Sequence, residues 1–215
     1  MISIKAISEI ISVVAIVAIS IGLISAAYMY GLPLIQKSQD KSKLERIISF
    51  FDYYNPSSLP QKVEFVANTG STEVLKLDAE GIWEIHPYDE NSPLKNSIVF
   101  SFFSKVTHIN TNDLISLIPG ESCPPRPGIV GKNSFAVVCL TGRPLFDGFN
   151  ITYIIFFRNL TYSVGENYNE IYSIQLTTPT GATTYRSTGK TLRISRQSID
   201  KTSNFIATKV KIEIS

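Results

Sequence analysis

Charged side chains are scarce in this chain, and the two signs are almost balanced. The 215 residues include 20 lysines and arginines and 18 aspartates and glutamates, so 18% of the sequence is charged and 44% is hydrophobic. No basic stripe with interleaved aromatic residues occurs, so nucleic acid is not an expected partner. The length and composition favour one sizeable core plus an appendage and argue against disorder.

Residue types that usually catalyse reactions or bind metals are also rare. The two histidines, His86 and His108, lie near no nucleophile motif and no second ligand at a useful spacing, and no CxxC, GxSxG or HExxH motif occurs. The stretch STGKT at 187–191 has Thr184 where a phosphate-binding loop requires its first glycine. We therefore predict no catalytic residue, no cofactor and no metal site, and interpret the chain as a non-enzyme.

Charge is missing entirely between Ile10 and Gln36. About 18 uncharged apolar residues are enough to cross a hydrocarbon core roughly 30 Å thick, and this stretch would be roughly 40 Å long as a helix. The apolar region of a secretory signal peptide is shorter, about 7 to 15 residues. The pattern therefore predicts a membrane-spanning helix, and removal of the whole run as a signal peptide is the weaker alternative.

The helical pattern continues beyond the uncharged stretch. Leu44, Ile47, Ile48 and Phe51 have the i, i+3, i+4 and i+7 spacing of one helix face. We therefore predict one long helix over residues 7–54, whose second half docks on a soluble domain.

A proline lies between the two halves of this helix. Pro33 removes a backbone donor and clashes with the preceding turn, and Gly31 loosens the same turn. We predict a kink near residues 31–33.

From residue 61 onwards the hydrophobic period changes from 3.6 to 2. The C-terminal ATKVKIEIS alternates strictly, and ITYIIFFR is apolar on both alternate sets, which predicts a strand covered on both faces. Further strands are predicted at KVEFVA, EVLKL, GIWEIH, SIVFSFFS, SFAVVCL, EIYSIQL and TLRISR, whereas DLISLIPG fits a short helix or a strand. Residues 61–215 are therefore expected to form an all-β, antiparallel, sandwich-like head, which makes the fold class α+β.

Cysteines and glycosylation sequences indicate the compartment. A disulfide between Cys123 and Cys139 would close a loop of about 15 residues and contribute very roughly 3 kcal/mol, and the alternative is two separate buried thiols. Asn150 and Asn159 begin N-x-T acceptor sequences at the two ends of the predicted central strand. Together these features favour a head outside the cytoplasm.

The basic residues around the span point the other way. Lys37, Lys41, Lys43 and Arg46 follow the span and Lys5 precedes it, so the positive-inside rule alone would place the head in the cytoplasm. Large domains translocate largely regardless of flanking charge. We therefore still predict an outside head.

The start of the apolar helix resembles a processing signal. KAIS, at residues 5–8, resembles the class III signal of archaeal type IV pilins and archaellum-type filament proteins, in which a prepilin peptidase cuts between a small residue and the helix. The resemblance implies a leader peptide over residues 1–6, cleavage between Ala6 and Ile7, and retention of the helix. VEFVANTGSTEVLKL is also similar to a strand, Asn-x-Gly turn and strand in the β-sandwich heads of these proteins.

Small residues along the helix support self-association. Ala18, Gly22 and Ala26 recur every four residues, as do Ser8 and Ser12, so helix backbones can approach closely along these faces; chance occurrence in a single-pass anchor is the alternative. Glu9 needs a partner inside an apolar assembly because an isolated buried carboxylate is costly. We expect Glu9 to pair with the new terminal amine of Ile7 on a neighbouring subunit.

The resemblance implies a structural subunit of an extracellular filament that serves adhesion or motility. The expected partners are copies of the same chain, the prepilin peptidase and pilus assembly machinery, and the cytoplasmic membrane before assembly. The alternative is a single-pass anchored β-domain that binds a surface-layer or filament-machinery partner without polymerising. An N-terminus at Ile7 would favour the filament, and an intact Met1 would favour the anchor.

Overall fold

The computed structural model describes residues 4–89, 92–105, 111–164 and 168–215, with the backbone alone described at 4–11, 111, 164 and 168. The chain divides into two compact units, Met1–Ser42 and Lys43–Ser215. The prediction for His108 therefore lies outside the described residues.

The first unit is helical throughout its described residues. Helix α1 (Ile4–Phe51) includes Pro33 and Gly31 without interruption of the helix. Its last turns belong to the second unit, because the boundary between the units follows Ser42. The predicted kink near residues 31–33 stays a prediction.

Helix α1 ends three residues earlier than predicted. After Phe51 the side chain of Asn55 turns back, and its Nδ2 donates to the carbonyl oxygen of Ser49 at 3.0 Å and to the Ser49 hydroxyl at 2.9 Å. These bonds satisfy a carbonyl that has no partner within the helix. The Asp52 carboxylate accepts from the Tyr54 backbone N–H at 3.0 Å, which starts a turn instead of another helical turn.

A second helix, α2 (Leu59–Thr69), replaces the strand predicted at KVEFVA, so that prediction is wrong. Its buried residues follow helical spacing: Leu59, Pro60, Val63, Val66 and Ala67. Proline is favoured in the first turn of a helix, as at Pro60, because the backbone N–H groups there have no hydrogen-bond acceptor within the helix. Gly70 ends the helix in the left-handed conformation (φ 76°), and its N–H donates to the Val66 carbonyl oxygen. The motif similar to strand, turn and strand is therefore helix, cap and strand.

The described residues of the second unit also form twelve strands, which form two six-stranded sheets. In chain order they are β1 (Thr72–Lys76), β2 (Ile82–His86), β3 (Ser97–Ser104), β4 (Thr111–Ser116), β5 (Gly128–Ile129), β6 (Ala136–Leu145), β7 (Gly148–Phe157), β8 (Leu160–Val164), β9 (Tyr168–Thr177), β10 (Tyr185–Ser187), β11 (Thr191–Lys201) and β12 (Phe205–Ile214). Sheet I has the order β1-β11-β12-β9-β8-β5, and sheet II has the order β10-β2-β3-β7-β6-β4. The segment DLISLIPG, which fitted helix or strand, contributes to strand β4.

The sheets are mixed, which corrects the antiparallel prediction. Strand β12 runs parallel to β9, and β5 runs parallel to β8, whereas the other pairs are antiparallel. Between β9 and β12 the chain crosses to sheet II as β10 and returns to sheet I as β11. Strand β11 is antiparallel to β12, so β12 again runs in the direction of β9. Alternation of apolar residues is the same for both directions, so the sequence pattern does not distinguish them.

One hydrophobic cluster lies between the sheets. Sheet II contributes Trp83, Phe100 and Ile155, sheet I contributes Leu192 and Val210, and all five are at most 1% exposed. Because inward residues of both sheets share this cluster, the second unit is a β-sandwich. The long apolar helix followed by a β-rich domain confirms the coarse α+β prediction.

Strand β7 is central in sheet II and is covered on both faces, as predicted. Tyr153 and Ile155 point into the main core, whereas Ile154 and Phe156 belong to a second cluster on the outer face of the sheet. Cys139 on β6 is buried in the same outer cluster. The residues that follow β4 therefore cover the outer face near the disulfide.

Candidate functional site

The first unit exposes a long apolar surface. From Ser12 to Tyr30 every residue is exposed. Among the side chains of this unit that the structure describes, eleven large aliphatic ones are exposed: Val13, Val14, Ile16, Val17, Ile19, Ile21, Leu23, Ile24, Leu32, Leu34 and Ile35. At about 2 kcal/mol for each side chain, their contact with water would cost roughly 20 kcal/mol, which exceeds the roughly 5–15 kcal/mol that stabilises a domain. This surface therefore requires lipid or protein to cover it.

The length and composition of this helix match those of a membrane span. The segment Ser12–Phe51 contains a stretch of 18 residues with a mean hydropathy of 2.2, and none of these residues is buried. A signal sequence near the N-terminus satisfies the same test. The structure thus has a long apolar N-terminal helix of the kind that anchors a protein in a membrane or targets it there.

The small residues of the predicted packing face are open to contact. Ser12, Ala18, Gly22 and Ala26 are all exposed, and a Cβ built on Gly22 would meet no atom within 4 Å. The fold of a single chain therefore does not require glycine at this position. Residues Ala6, Ile7, Ser8 and Glu9 are helical in backbone, and their side chains lie outside the described residues.

The end of α1 forms part of the β-sandwich core. Leu44, Ile47 and Phe51 are at most 3% exposed, as their spacing predicted, whereas Ile48 is 37% exposed and does not dock. The Phe51 ring stacks on the Tyr153 ring with centroids 4.6 Å apart, and Trp83 and Phe100 lie 5.9 Å from it. Within the second unit, the last turns of α1 are thus held in the core by a buried aromatic cluster.

A disulfide and an ion pair hold a proline-rich loop, residues 124–127, against the outer face of sheet II. Cys123 and Cys139 form a disulfide with a Cα–Cα distance of 6.1 Å. The predicted disulfide is therefore confirmed, and the alternative of two separate thiols is wrong. Next to it, the Arg158 guanidinium donates to both Glu121 carboxylate oxygens at 2.6 Å. Arg158 also donates to the backbone carbonyls of Ser134 and Arg126, and its proximity lowers the pKa of the Glu121 carboxyl.

A buried asparagine joins the two sheets beside this loop. Asn96 is 2% exposed and adopts a left-handed conformation (φ 55°), which asparagine tolerates better than most residues. Its Nδ2 donates to the carbonyls of Phe157 and Ile174 at 2.7 and 2.6 Å, and its Oδ1 accepts from the Leu176 N–H at 2.8 Å. Sequence reasoning missed Asn96, because no local motif marks a residue whose partners are 61 to 80 positions away.

A surface cleft opens between the asparagine, the loop and the end of β7. It has a volume of about 590 Å³ and is lined mainly by prolines and aromatic rings, including Pro93, Pro124, Pro125, Pro127, Tyr88 and Phe156. Two of its described lining residues are cationic, Lys95 and Arg158, and none is acidic. Because Arg158 is neutralised by Glu121, Lys95 gives the cleft its positive character.

Both predicted glycosylation residues are half-buried. Asn150 is the third residue of β7, between Phe103 and Arg143 on the neighbouring strands, and not at the strand end as predicted. Asn159 follows β7 and lines the cleft. Whether either residue carries a glycan stays a prediction.

Among the described residues of the head, Glu64 is a carboxyl group in a desolvated position. Burial raises the pKa of Glu64 on α2, against the opposing effects of a hydrogen bond from the Ala136 N–H at 3.0 Å and attraction by Arg158. Burial likewise raises the pKa of Tyr153 to about 12. Among the residues that the structure describes, no three His, Cys, Asp or Glu side chains are grouped so that they could hold a metal ion.

No family model, curated protein or solved structure matches this chain. The resemblance to filament proteins therefore depends on the pattern at residues 5–8 and on the layout of helix and head. The features that the sequence did not reveal are the Arg158–Glu121 pair, Asn96 and the cleft. Their one sequence signal is the arginine that directly follows the apolar run ITYIIFF.

Proposed function

We propose that this chain is a structural subunit of an extracellular filament of the archaeal type IV pilus class. The observation that carries the proposal is an apolar helix that is exposed at every residue from Ser12 to Tyr30 and has a small face around Gly22, on a chain whose same helix ends inside the core of a β-sandwich. In a filament, copies of this helix would cover one another in a central core, and the β-sandwich would form the outer surface. Adhesion or motility is the role that this layout serves.

Close helix packing is supported by the open face around Gly22. A Cβ built on Gly22 would meet no atom within 4 Å, and Ala18 and Ala26 are exposed, so another helix could approach closely along this face. A tether surrounded by lipid gains little from such residues. This observation favours assembly over simple anchoring.

The proposed location follows from the same features. The precursor is held in the cytoplasmic membrane by its helix with the head outside, prepilin peptidase cuts between Ala6 and Ile7, and the assembly machinery adds the subunit to a surface filament. Support for an outside head comes from the Cys123–Cys139 disulfide, since disulfides persist in oxidising compartments. The acceptor sequences at Asn150 and Asn159 agree with that placement.

A retained single-pass anchor is the second candidate. The basic residues Lys37, Lys41, Lys43 and Arg46 directly after the uncharged stretch favour it, because they are typical of a cytoplasmic flank. In that case the head would bind its partner, through the cleft or another surface, without polymerisation.

Surface material from cells that express the full chain distinguishes the two candidates. Electron microscopy should show filaments, and mass spectrometry should find the subunit beginning at Ile7. Gly22→Leu should reduce filament yield, since it adds bulk to the small face, whereas Ala27→Leu adds similar bulk, one carbon less, on a different helix face and serves as the control. Membrane-bound monomers that begin at Met1 would refute the filament proposal.

A further inference from the structure

The hairpin between β6 and β7 presents an apolar tip to solvent. Its connection consists of Phe146 and Asp147, and the Phe146 side chain is fully exposed to solvent. Leu145 beside it is 54% exposed, and Phe103 on the neighbouring strand β3 is 53% exposed. We call Phe103, Leu145 and Phe146 the hairpin tip.

Folding of the single chain gives no reason for phenylalanine at this position. Two-residue hairpin connections favour Asn, Asp or Gly, which adopt the turn conformations at low cost. The close approach of the hairpin backbone to the Phe103 ring requires Gly148 and not Phe146, since a Cβ on Gly148 would lie 2.6 Å from that ring. An exposed aromatic ring next to two further apolar side chains is instead typical of the central contact of an interface.

The cleft described above lies at the opposite end of the same strand. Strand β7 begins at Gly148, beside the tip, and ends at Phe157, whose neighbours Phe156 and Arg158 line the cleft. Ten strand residues span roughly 30 Å. The apolar hairpin tip and the apolar cleft thus lie at the two ends of strand β7. At this separation each could contact a different neighbouring molecule.

We propose that the hairpin tip of one copy inserts into the cleft of the next copy of this chain. The cleft volume, about 590 Å³, accommodates the Phe146 and Leu145 side chains, and proline and aromatic rings provide apolar walls for them. Asp147 then approaches the positive Lys95. The Asp147 side chain is 78% exposed and lies 3.6 Å from the Lys105 ammonium group of its own chain. Such a surface ion pair is weak, so Asp147 can leave Lys105 and pair with Lys95 of the next copy.

This contact joins different surfaces of the two copies and is therefore heterologous. Repetition of a heterologous contact produces an open chain of subunits when the rotation does not close a ring. The inference rests on the proposed filament function, and it assigns the head-to-head contact within that filament. Three apolar side chains bury far less than the roughly 1,200 Å² of a stable interface, so the helices must hold the subunits together and the tip orients neighbouring heads.

Engineered cysteines test the contact in assembled filaments. The variant Lys95→Cys/Asp147→Cys should form intersubunit disulfides on oxidation, visible as a ladder of multimers on a non-reducing denaturing gel. Lys95→Cys/Asp200→Cys replaces another exposed aspartate, on β11 of sheet I, and should stay monomeric on the same gel. Addition of Phe146→Ser to the linked variant should reduce the ladder about tenfold or more, the usual loss when an aromatic anchor is removed.

The outcomes separate this inference from the function on which it rests. Intact filaments without a ladder would overturn the tip-and-cleft contact and leave the filament function standing. A wild-type chain that forms no filaments would remove both. A charge exchange gives an independent measurement: Lys95→Glu and Asp147→Lys should each lower the thermal stability of filaments, and the double variant should restore it. Failure of the double variant to restore stability would contradict the Lys95–Asp147 pairing.

Discussion

Replacement of Phe51 by alanine should destabilise the head more than any other single change in α1. The Phe51 side chain is 0% exposed and stacks on Tyr153, Trp83 and Phe100. Loss of a buried phenylalanine removes its transfer free energy and leaves a cavity, which together cost about 3–5 kcal/mol. Since rigid β-strands surround this site, little collapse can fill the space, and we expect about 4 kcal/mol.

Thermal denaturation of the full-length protein in detergent micelles measures this effect. Trp83 is the only tryptophan and lies against Phe51, so its fluorescence reports directly on the perturbed cluster. For a domain of this size, 4 kcal/mol corresponds to a fall in Tm of roughly 8–16 °C. Such a loss is a large part of the roughly 5–15 kcal/mol available to a domain.

Ile48→Ala is the matched control. Ile48 lies on the same helix, one turn before Phe51, but is 37% exposed and outside the core cluster. Its truncation should lower the Tm by only a few degrees, because changes at exposed sites cost roughly 0.5 kcal/mol. Equal shifts for Phe51→Ala and Ile48→Ala would show that the end of α1 does not dock in the core.

Three further predictions concern the head. Reduction of the Cys123–Cys139 bond, or its replacement by Cys123→Ser/Cys139→Ala, should lower the Tm by about 6–12 °C, since a loop of this length contributes very roughly 3 kcal/mol; an unchanged Tm would contradict the link. Arg158→Met should cost about 3–5 kcal/mol in chemical denaturation because Glu121 is left partly buried without its partner, and the double variant Arg158→Met/Glu121→Leu should recover part of the loss; a double variant as unstable as the single one would count against this explanation. The pKa of Glu64 is raised in the folded state, so the folded protein binds the Glu64 proton more tightly than the unfolded chain does. This tighter binding stabilises the fold fully at a pH below the pKa of Glu64 in the unfolded chain. The stabilisation is lost as the pH rises through the pKa of Glu64 in the folded protein. Glu64→Gln keeps an acceptor for the Ala136 N–H, so it should raise the Tm at pH 7 and change it little below about pH 4; a lower Tm at pH 7 would refute the desolvation argument.

Hydrophobic period and length predicted the main elements of this fold. The uncharged stretch and the alternating C-terminal segment carry long, regular signals and are found as a helix and a strand. Of the predicted stripe, Leu44, Ile47 and Phe51 are buried and Ile48 is exposed. The end of α1 is set instead by a side-chain hydrogen bond from Asn55 to Ser49. Such a cap has no hydrophobic period, which explains the error of three residues.

Helix α2 was missed because a six-residue window is too short to distinguish the two periods. KVEFVA alternates well enough to fit a strand, since Val63 and Phe65 are two positions apart. A longer window contains Leu59, Val63 and Val66, which have i, i+4 and i+7 spacing, with Pro60 near the start and Gly70 after the end. The helix was therefore predictable from its boundaries and not from its centre.

The cleft was not predictable from local patterns. Its parts come from the loop before β3, the loop before β5 and the end of β7, and they meet only because the sheet order brings them together. The contacts that fix it join residues 37 to 80 positions apart, Arg158 to Glu121 and Asn96 to Leu176. The Cys123–Cys139 link is the exception among the long-range contacts, because a sequence with only two cysteines allows a single pairing.

The choice between filament and anchor depends on the small face around Gly22 and on one carboxylate, and not on hydrophobic burial. Lipid tails and neighbouring helices cover aliphatic side chains about equally well, so the eleven exposed aliphatic residues favour neither arrangement. Glu9 is different, because a carboxylate in an apolar helix is costly without a partner. If cleavage after Ala6 creates an amine at Ile7, that amine is a partner that only a processed neighbour provides. Glu9→Gln should therefore reduce filament yield while the membrane fraction still shows processing at Ile7, and Glu9→Asp should retain part of the yield. Wild-type filament yield from Glu9→Gln would mean that another interaction holds the helices together.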